Sequence, residues 1–224
     1  MNQWQIGDIK ITRIVEMQVA GGTRFILPDA TREAVLPIQW LAPHFMTEDG
    51  RLIMSIHALV VETRDRTILV DTCIGNDKQR EIPNWSNLQG PFLQDLQDAG
   101  YGRESIDTVL CTHLHVDHVG WNTMLVAGQW LPTFPHARYL MARKEYEYWD
   151  ARDDGSSTSP MADSVKPVFA AAKQGPRRRV VLAEGEDERV LLATQLIVDE
   201  ELARPILIGR PEVMIRTSAP APKY

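Results

Sequence analysis

The 224-residue sequence predicts an α/β protein, and three observations carry that prediction. Strand-like runs separated by turns fill the first two thirds of the chain. A short amphipathic helix pattern, "PFLQDLQDAG", interrupts them. After about residue 165 the order becomes strand, long helix, strand.

The elements follow in chain order. "DIKITRIV" alternates so that Ile9 and Ile11 fall on one face, as in a half-buried strand. "SIHALVVET" and "TILVDT" flank the charged turn Arg64-Asp65-Arg66 and read as two antiparallel strands. In "PFLQDLQDAG", Pro91 lies near the first turn, Phe92, Leu93 and Leu96 share a face, and Gly100 ends the helix. "IDTVLCT" is a further strand. "ARDDGSSTSPMADS" has the polar, Gly/Ser/Pro-bearing composition of a loop or linker. Beyond it, "RVVLAEG", a helix through "EDERVLLATQLIVDEELA" and "PILIG" form a βαβ order, with Val190, Leu191, Leu196, Ile197 and Leu202 turned toward a core. The tail "TSAPAPKY" reads as disordered.

Composition narrows the partners. A formal charge of −6 argues against nucleic acid or an anionic membrane as partner. The run Arg177-Arg178-Arg179 reads as an exposed, solvated turn. No apolar run approaches the roughly 18 residues of a membrane span, and "MNQWQIGDIK" lacks the features of a signal peptide, so a cytoplasmic location is expected. The two cysteines, Cys73 and Cys111, follow apolar runs and read as buried small hydrophobes; they give neither a disulfide framework nor a cysteine zinc motif.

The chemistry concentrates in "CTHLHVDHVGWN". His113, His115, Asp117 and His118 lie within six residues at the C-terminal end of a strand, where a sheet edge can position them. If the segment is extended, His113, His115 and Asp117 project to one side, and a turn at His118 brings its ring round. Imidazole nitrogens and a carboxylate oxygen suit one or two zinc ions, and also iron or manganese. Two histidines could serve one ion while Asp117 and His118 serve a second, and a pair of ions would acidify a bridging water for hydrolysis. A set of merely polar loop positions is the competing reading; the density and order of the donors favour metal.

"THLHVDHVG" is the HxHxDH signature, and the chain from its N-terminus to about residue 165 resembles the metallo-β-lactamase-fold hydrolases. "LVVETRDRTILVDTCIGND", "VGWNTML" and "TFPHARYLMARKEYEYW" resemble the lactonase-like branch of that superfamily. The resemblance implies that His113 and His115 bind a first metal and that Asp117 and His118 bind a second. It makes Asp117 the catalytic proton donor to the leaving group, and Asp71 a strand-end support acting through hydrogen bonds. The substrate would be a small molecule with a lactone, ester or similar bond. The family also uses three later ligands, a histidine, a bridging aspartate and a final histidine, whereas this chain has no histidine after His136. His136 reads as a surface residue, and His57 and His44 as structural or near-site residues.

"KPVFAAAKQGPRRRVVLAEGEDERVLLATQLIVDEELARPILIGRPEVM" resembles the opening of the phosphate acetyltransferase-like domain found at the C-terminus of NADP-dependent malic enzymes. The expected organisation is therefore an incomplete αββα sandwich over residues 1–165, then a βαβ fragment with its tail over 166–224. "ADSVKPVFAAA" is the expected seam. Half a sandwich leaves one sheet face without its partner, so low stability or a homo-oligomer is also expected.

Overall fold

The computed structural model describes residues 2–174, 179–182, 186–199, 204–211 and 213. The elements run β1 (Asn2–Ile6), β2 (Ile9–Ala20), α1 (Arg32–Val35), β3 (Ile53–Glu62), β4 (Thr67–Val70), α2 (Phe92–Asp98), β5 (Thr108–Leu110), β6 (Thr123–Val126), β7 (Gln129–Pro132), β8 (Arg138–Leu140), α3 (Arg143–Asp150), α4 (Lys166–Gln174), β9 (Arg179–Leu182), α5 (Glu188–Asp199) and β10 (Arg204–Leu207). They form two compact units, Met1–Val168 and Phe169–Tyr224.

A mixed six-stranded sheet in the order β1-β2-β3-β4-β5-β8 dominates the first unit. Its first four strands are antiparallel, and β4, β5 and β8 run parallel. Parallel strands share a C-terminal edge, and the histidine segment follows β5 at that edge. The expected hairpin across Arg64-Asp65-Arg66 is present, with Leu59 opposite Val70 and Glu62 opposite Thr67.

One face of the sheet is the core. Thr12, Ile14, Ile56, Ala58, Val60, Leu69 and Val109 are buried on it, as are Phe92 and Leu96 of α2. This corrects the reading of β2: Thr12 and Ile14 lie inward, while Ile9 is exposed and Ile11 only half-buried. The inward threonine is tolerated because its hydroxyl pairs with that of Tyr101 at 3.1 Å, which in turn donates to Glu62 Oε2 at 2.9 Å. The opposite face, with Leu59, Val61, Ile68 and Val70, is only partly covered. Among the described residues the other sheet of this unit is the hairpin β6-β7.

The segment "MADS" is not linker. Met161–Val165 forms a π-helical turn in which Met161, Asp163, Ser164 and Val165 are all buried. Asp163 is the reason a polar stretch can go inside. Arg80 Nη1 and Nη2 donate to its two carboxylate oxygens at 2.7 and 3.0 Å, and Lys78 Nζ lies 3.7 Å from Oδ1. Lys78 is fully buried, donates to Thr123 Oγ1 at 2.9 Å and stands 3.7 Å above the Trp130 ring.

Burial pulls the Lys78 ammonium down to about 7, outweighing the opposite pull of Asp163. An unfolded lysine keeps its ordinary value of 10.5, so between about pH 7 and 10.5 the unfolded chain binds more protons and stability rises with pH. Urea titrations of wild type and Lys78→Met are expected to show wild type gaining on the variant by roughly 3 kcal/mol from pH 7 to 10. Titrations common to both chains cancel, and a difference independent of pH would show that Lys78 does not lose its proton in the folded state.

In the second unit β9 and β10 pair in parallel with α5 between them in sequence, which is the expected βαβ order. The α5 reading needs correction, because Leu196 is 49% exposed and Val190, Leu191 and Ile197 are only partly covered. Arg179 lies in β9 rather than in a turn. Arg177, Arg178, Leu202 and the tail 217–224 lie outside the described residues. No helix among the described residues is long and apolar enough to cross a membrane.

Candidate metal centre

The site begins where β4 ends. Asp71, the next residue, takes a left-handed φ of 57°, and Cys73 and Gly75 repeat that sign at 52° and 82°. The resulting loop turns two N–H groups to a half-buried carboxylate: Glu16 accepts from Ile74 N at 2.7 Å and Gly75 N at 3.1 Å, and also from Trp121 Nε1 at 2.7 Å. Gly120 closes the same frame. A Cβ at that position would overlap the Ile74 carbonyl, so only glycine lets the two segments meet. Backbone bonds from Gly120 N to Cys73 O and from Thr72 N to His118 O, both 2.7 Å, lock the loop after β4 to the histidine segment.

The histidine segment is a turn rather than an extended strand, with His118 N donating to His115 O at 3.0 Å. The turn brings the rings close together: His113 and His118 are tilted at 48° with centroids 3.9 Å apart, and His113 meets His115 edge-on at 4.6 Å. His118 sits between two carboxylates, with Nδ1 2.8 Å from Asp71 Oδ2 and Nε2 3.5 Å from Asp117 Oδ2. Asp71 also accepts from Thr112 N at 2.7 Å and from its hydroxyl. It therefore fixes the His118 ring in the manner of a carboxylate behind a metal-binding imidazole. Trp149 and Glu145 of α3 brace the segment from outside: the indole lies edge-on to His115 at 5.3 Å, and Glu145 Oε2 accepts from Leu114 N at 3.1 Å.

Burial would lower the His118 pKa, but Asp117 and Asp71 outweigh it and push the ring up to about 9. Both carboxyls are held below their usual range because, despite burial, they pair with His118. Burial and then the neighbouring imidazoles lower His113, and burial and then the Arg13 charge lower His57. Cys73 and Cys111 are buried free thiols, each raised by burial, Cys111 to about 12, and both are inert packing residues.

The donors suit a divalent cation in type and, at one pair, in spacing. Two atoms bound to one zinc at about 2.1 Å stand roughly 3.4 Å apart in a tetrahedral site, against 3.5 Å between His118 Nε2 and Asp117 Oδ2. Among the described residues, no three His, Cys, Asp or Glu side chains converge as the donors of one ion. Two openings flank the segment. A cavity of about 240 Å³ is lined by Ser55, His57, Asp71, Thr112, Asp117 and His118. A cleft of about 360 Å³ lies beside Val116 and Trp149, between the segments around Ile82 and Pro160. His44 and His136 are both exposed, and His136 Nδ1 lies 3.1 Å from the Glu104 carbonyl.

Sequence reasoning missed Glu16, Glu145 and Trp149. Glu16 carries a weak signal, a carboxylate in the middle of the strand pattern "TRIVEMQV", where the register with β3 shifts.

A family model described as the metallo-beta-lactamase superfamily matches residues 53–203. Among solved structures, AidC, a dizinc quorum-quenching lactonase, matches with a TM-score of 0.50 and 19% identity, over 93% of this chain and 60% of that one. A probable metal-dependent hydrolase from Staphylococcus aureus matches with a TM-score of 0.49 and 22% identity, over 69% of this chain and 55% of that one. Among curated proteins, the NAD-dependent malic enzyme of Rhizobium meliloti is 60% identical over 50 residues, 22% of this chain and 6% of that enzyme. The NADP-dependent malic enzyme of Escherichia coli is 43% identical over 81 residues, 29% of this chain and 10% of that enzyme. The chain thus spans less than two thirds of these solved structures and a tenth or less of these malic enzymes.

Proposed function

The chain belongs to the metallo-beta-lactamase superfamily, and from that premise we propose that it is a metal-dependent hydrolase of a small-molecule lactone, ester or similar bond. The observation that carries the reading is His118 held between Asp71 and Asp117, within a close cluster of three imidazoles. His113 and His115 would hold one divalent ion, zinc by preference, and Asp117 and His118 a second. A bound divalent ion supplies a Lewis acid and a water acidified toward neutral pH. Asp71 would keep one proton of His118 on Nδ1, and a bound ion would have to displace the proton that Asp117 favours on Nε2, so binding would release a proton. Asp117 returns a proton to the leaving oxygen. The cavity lined by Asp71, Thr112, Asp117 and His118 is the proposed seat of the reacting bond.

Residues 166–224 are proposed to be a joined fragment, the opening βαβ of a phosphate acetyltransferase-like domain. The parallel β9-β10 pair and the similarity to malic enzymes support this. The family match runs to residue 203 and so overlaps the second unit. The fusion leaves out the family's later ligands, and turnover is proposed to be reduced for that reason. A second reading, a non-catalytic chimera, is favoured by the want of three converging donors among the described residues.

Calorimetric zinc titration of the chelator-treated chain, beside His115→Ala, tests the proposal. Zinc binding that weakens in the variant, together with zinc-dependent turnover on a lactone and ester panel, is the expected result. Binding without any zinc-dependent turnover would leave the chimera reading, and no binding at all would remove the metal reading.

A further inference from the structure

We propose that Glu16 is a positioning residue of this centre: it clamps the loop after β4 to the turn that follows the histidines and so fixes Asp71 against His118. The inference rests on the metal-dependent reading above. Glu16 sits at the irregularity in β2. Val15 stands opposite His57 and Met17 opposite Ile56, so no residue of β3 is left to pair with Glu16. Plain alternation would carry it onto the core face after Thr12 and Ile14, where a carboxylate must find donors or lose its hydration uncompensated. It finds three. Ile74 N and Gly75 N come from the loop after β4, and Trp121 Nε1 comes from beyond the histidine segment. No cation pairs with it among the described residues, so N–H groups alone hold the charge.

The loop it grips is one that needs holding. Asp71 and Cys73 are non-glycine residues at left-handed φ of 57° and 52°, a backbone that persists only where its surroundings over-determine it. Glu16 secures the far end of that loop, and backbone bonds lead from there back to the site. Gly120 N donates to Cys73 O, Trp121 N to Thr72 O and Thr72 N to His118 O, each at 2.7 Å. Thr72 is the neighbour of Asp71, whose Oδ2 stands 2.8 Å from His118 Nδ1. A carboxylate is the group that fits this place. Oε1 takes the Gly75 and Trp121 donors and Oε2 takes Ile74 N. A glutamine can put an oxygen at only one of the two positions, and its NH₂ then faces an N–H donor at the other.

The test compares wild type, Glu16→Gln and Trp121→Phe as chelator-treated full chains, at a temperature where circular dichroism shows each of them folded. Two readouts are taken: the low-field proton resonance of His118 Nδ1–H, which needs no metal, and the Kd for zinc by calorimetry. The expected result in Glu16→Gln is a moved His118 resonance and a zinc Kd raised by roughly tenfold, the lower end of what losing an outer support of a metal ligand costs. A Glu16 that only stabilised the fold would lower the unfolding midpoint and leave both readouts at their wild-type values; that result overturns the inference and leaves the hydrolase reading standing. Wild type without zinc affinity removes the metal reading, and the resonance then decides alone: unmoved in Glu16→Gln, it overturns the inference as well. Should Glu16→Gln fail to fold, Trp121→Phe takes its place, since it removes one donor and keeps a ring against Phe92, on which Trp121 stacks at 5.8 Å. An unmoved His118 resonance in that variant overturns the proposal.

Discussion

Arg80→Ala is expected to lower the unfolding free energy of the first unit by about 3–5 kcal/mol, the usual cost of removing one partner from a buried ion pair. Asp163 is 6% exposed and Arg80 4%, so the carboxylate left behind has no route to water. The fork between them is bidentate, and Ser164 Oγ adds a 2.6 Å bond to the same carboxylate. Lys78 does not rescue it, lying 3.7 Å away and itself weakened as a cation by burial. The measurement is a urea titration followed by tryptophan fluorescence. All six tryptophans lie within Met1–Val168, so the signal reports that unit without interference from the other. The double variant Arg80→Met with Asp163→Leu is expected to recover most of the loss, because removing both charges leaves nothing unpaired. A single-variant cost below about 1 kcal/mol, the level of an exposed pair, would mean that Met161–Val165 is not docked in the core.

The second large effect concerns chemistry. Asp117→Asn is expected to reduce kcat on a responsive ester or lactone by about 10²–10⁴-fold, the range for loss of a positioned acid or base. The change keeps the shape and removes the carboxylate that faces His118 Nε2 at 3.5 Å. Measured at saturating zinc, the loss reports the proton-transfer role rather than metal affinity. If kcat stayed within tenfold of wild type, Asp117 would not be the proton donor.

The legible parts of this protein are the ones written in consecutive residues. The hairpin around Asp65 and the helix begun at Phe92 follow from local periodicity and turn chemistry, and the structure bears them out. The histidine segment could be singled out because its donors are neighbours in the chain. The β2 face was misread because alternation gives a period and not a sign: which of two faces is buried depends on what packs against it, here Tyr101 and α2. The segment "MADS" was misread because composition alone cannot anticipate Arg80, 83 positions away, that makes an inward aspartate tolerable.

By itself, then, the sequence determined the α/β class, the hairpin around Asp65, the helix begun at Phe92, the strand before the histidines, the late βαβ order, and the cluster from His113 to His118. Tertiary structure decided what surrounds that cluster. Asp71 reaches His118 across 47 positions, Glu16 reaches Trp121 across 105, and His57 shares a cavity with both carboxylates through the register of β3 on β4. Local propensity acts over a few bonds, whereas a polar group's partner is set by strand pairing and burial, which fix distances that no stretch of neighbouring residues encodes.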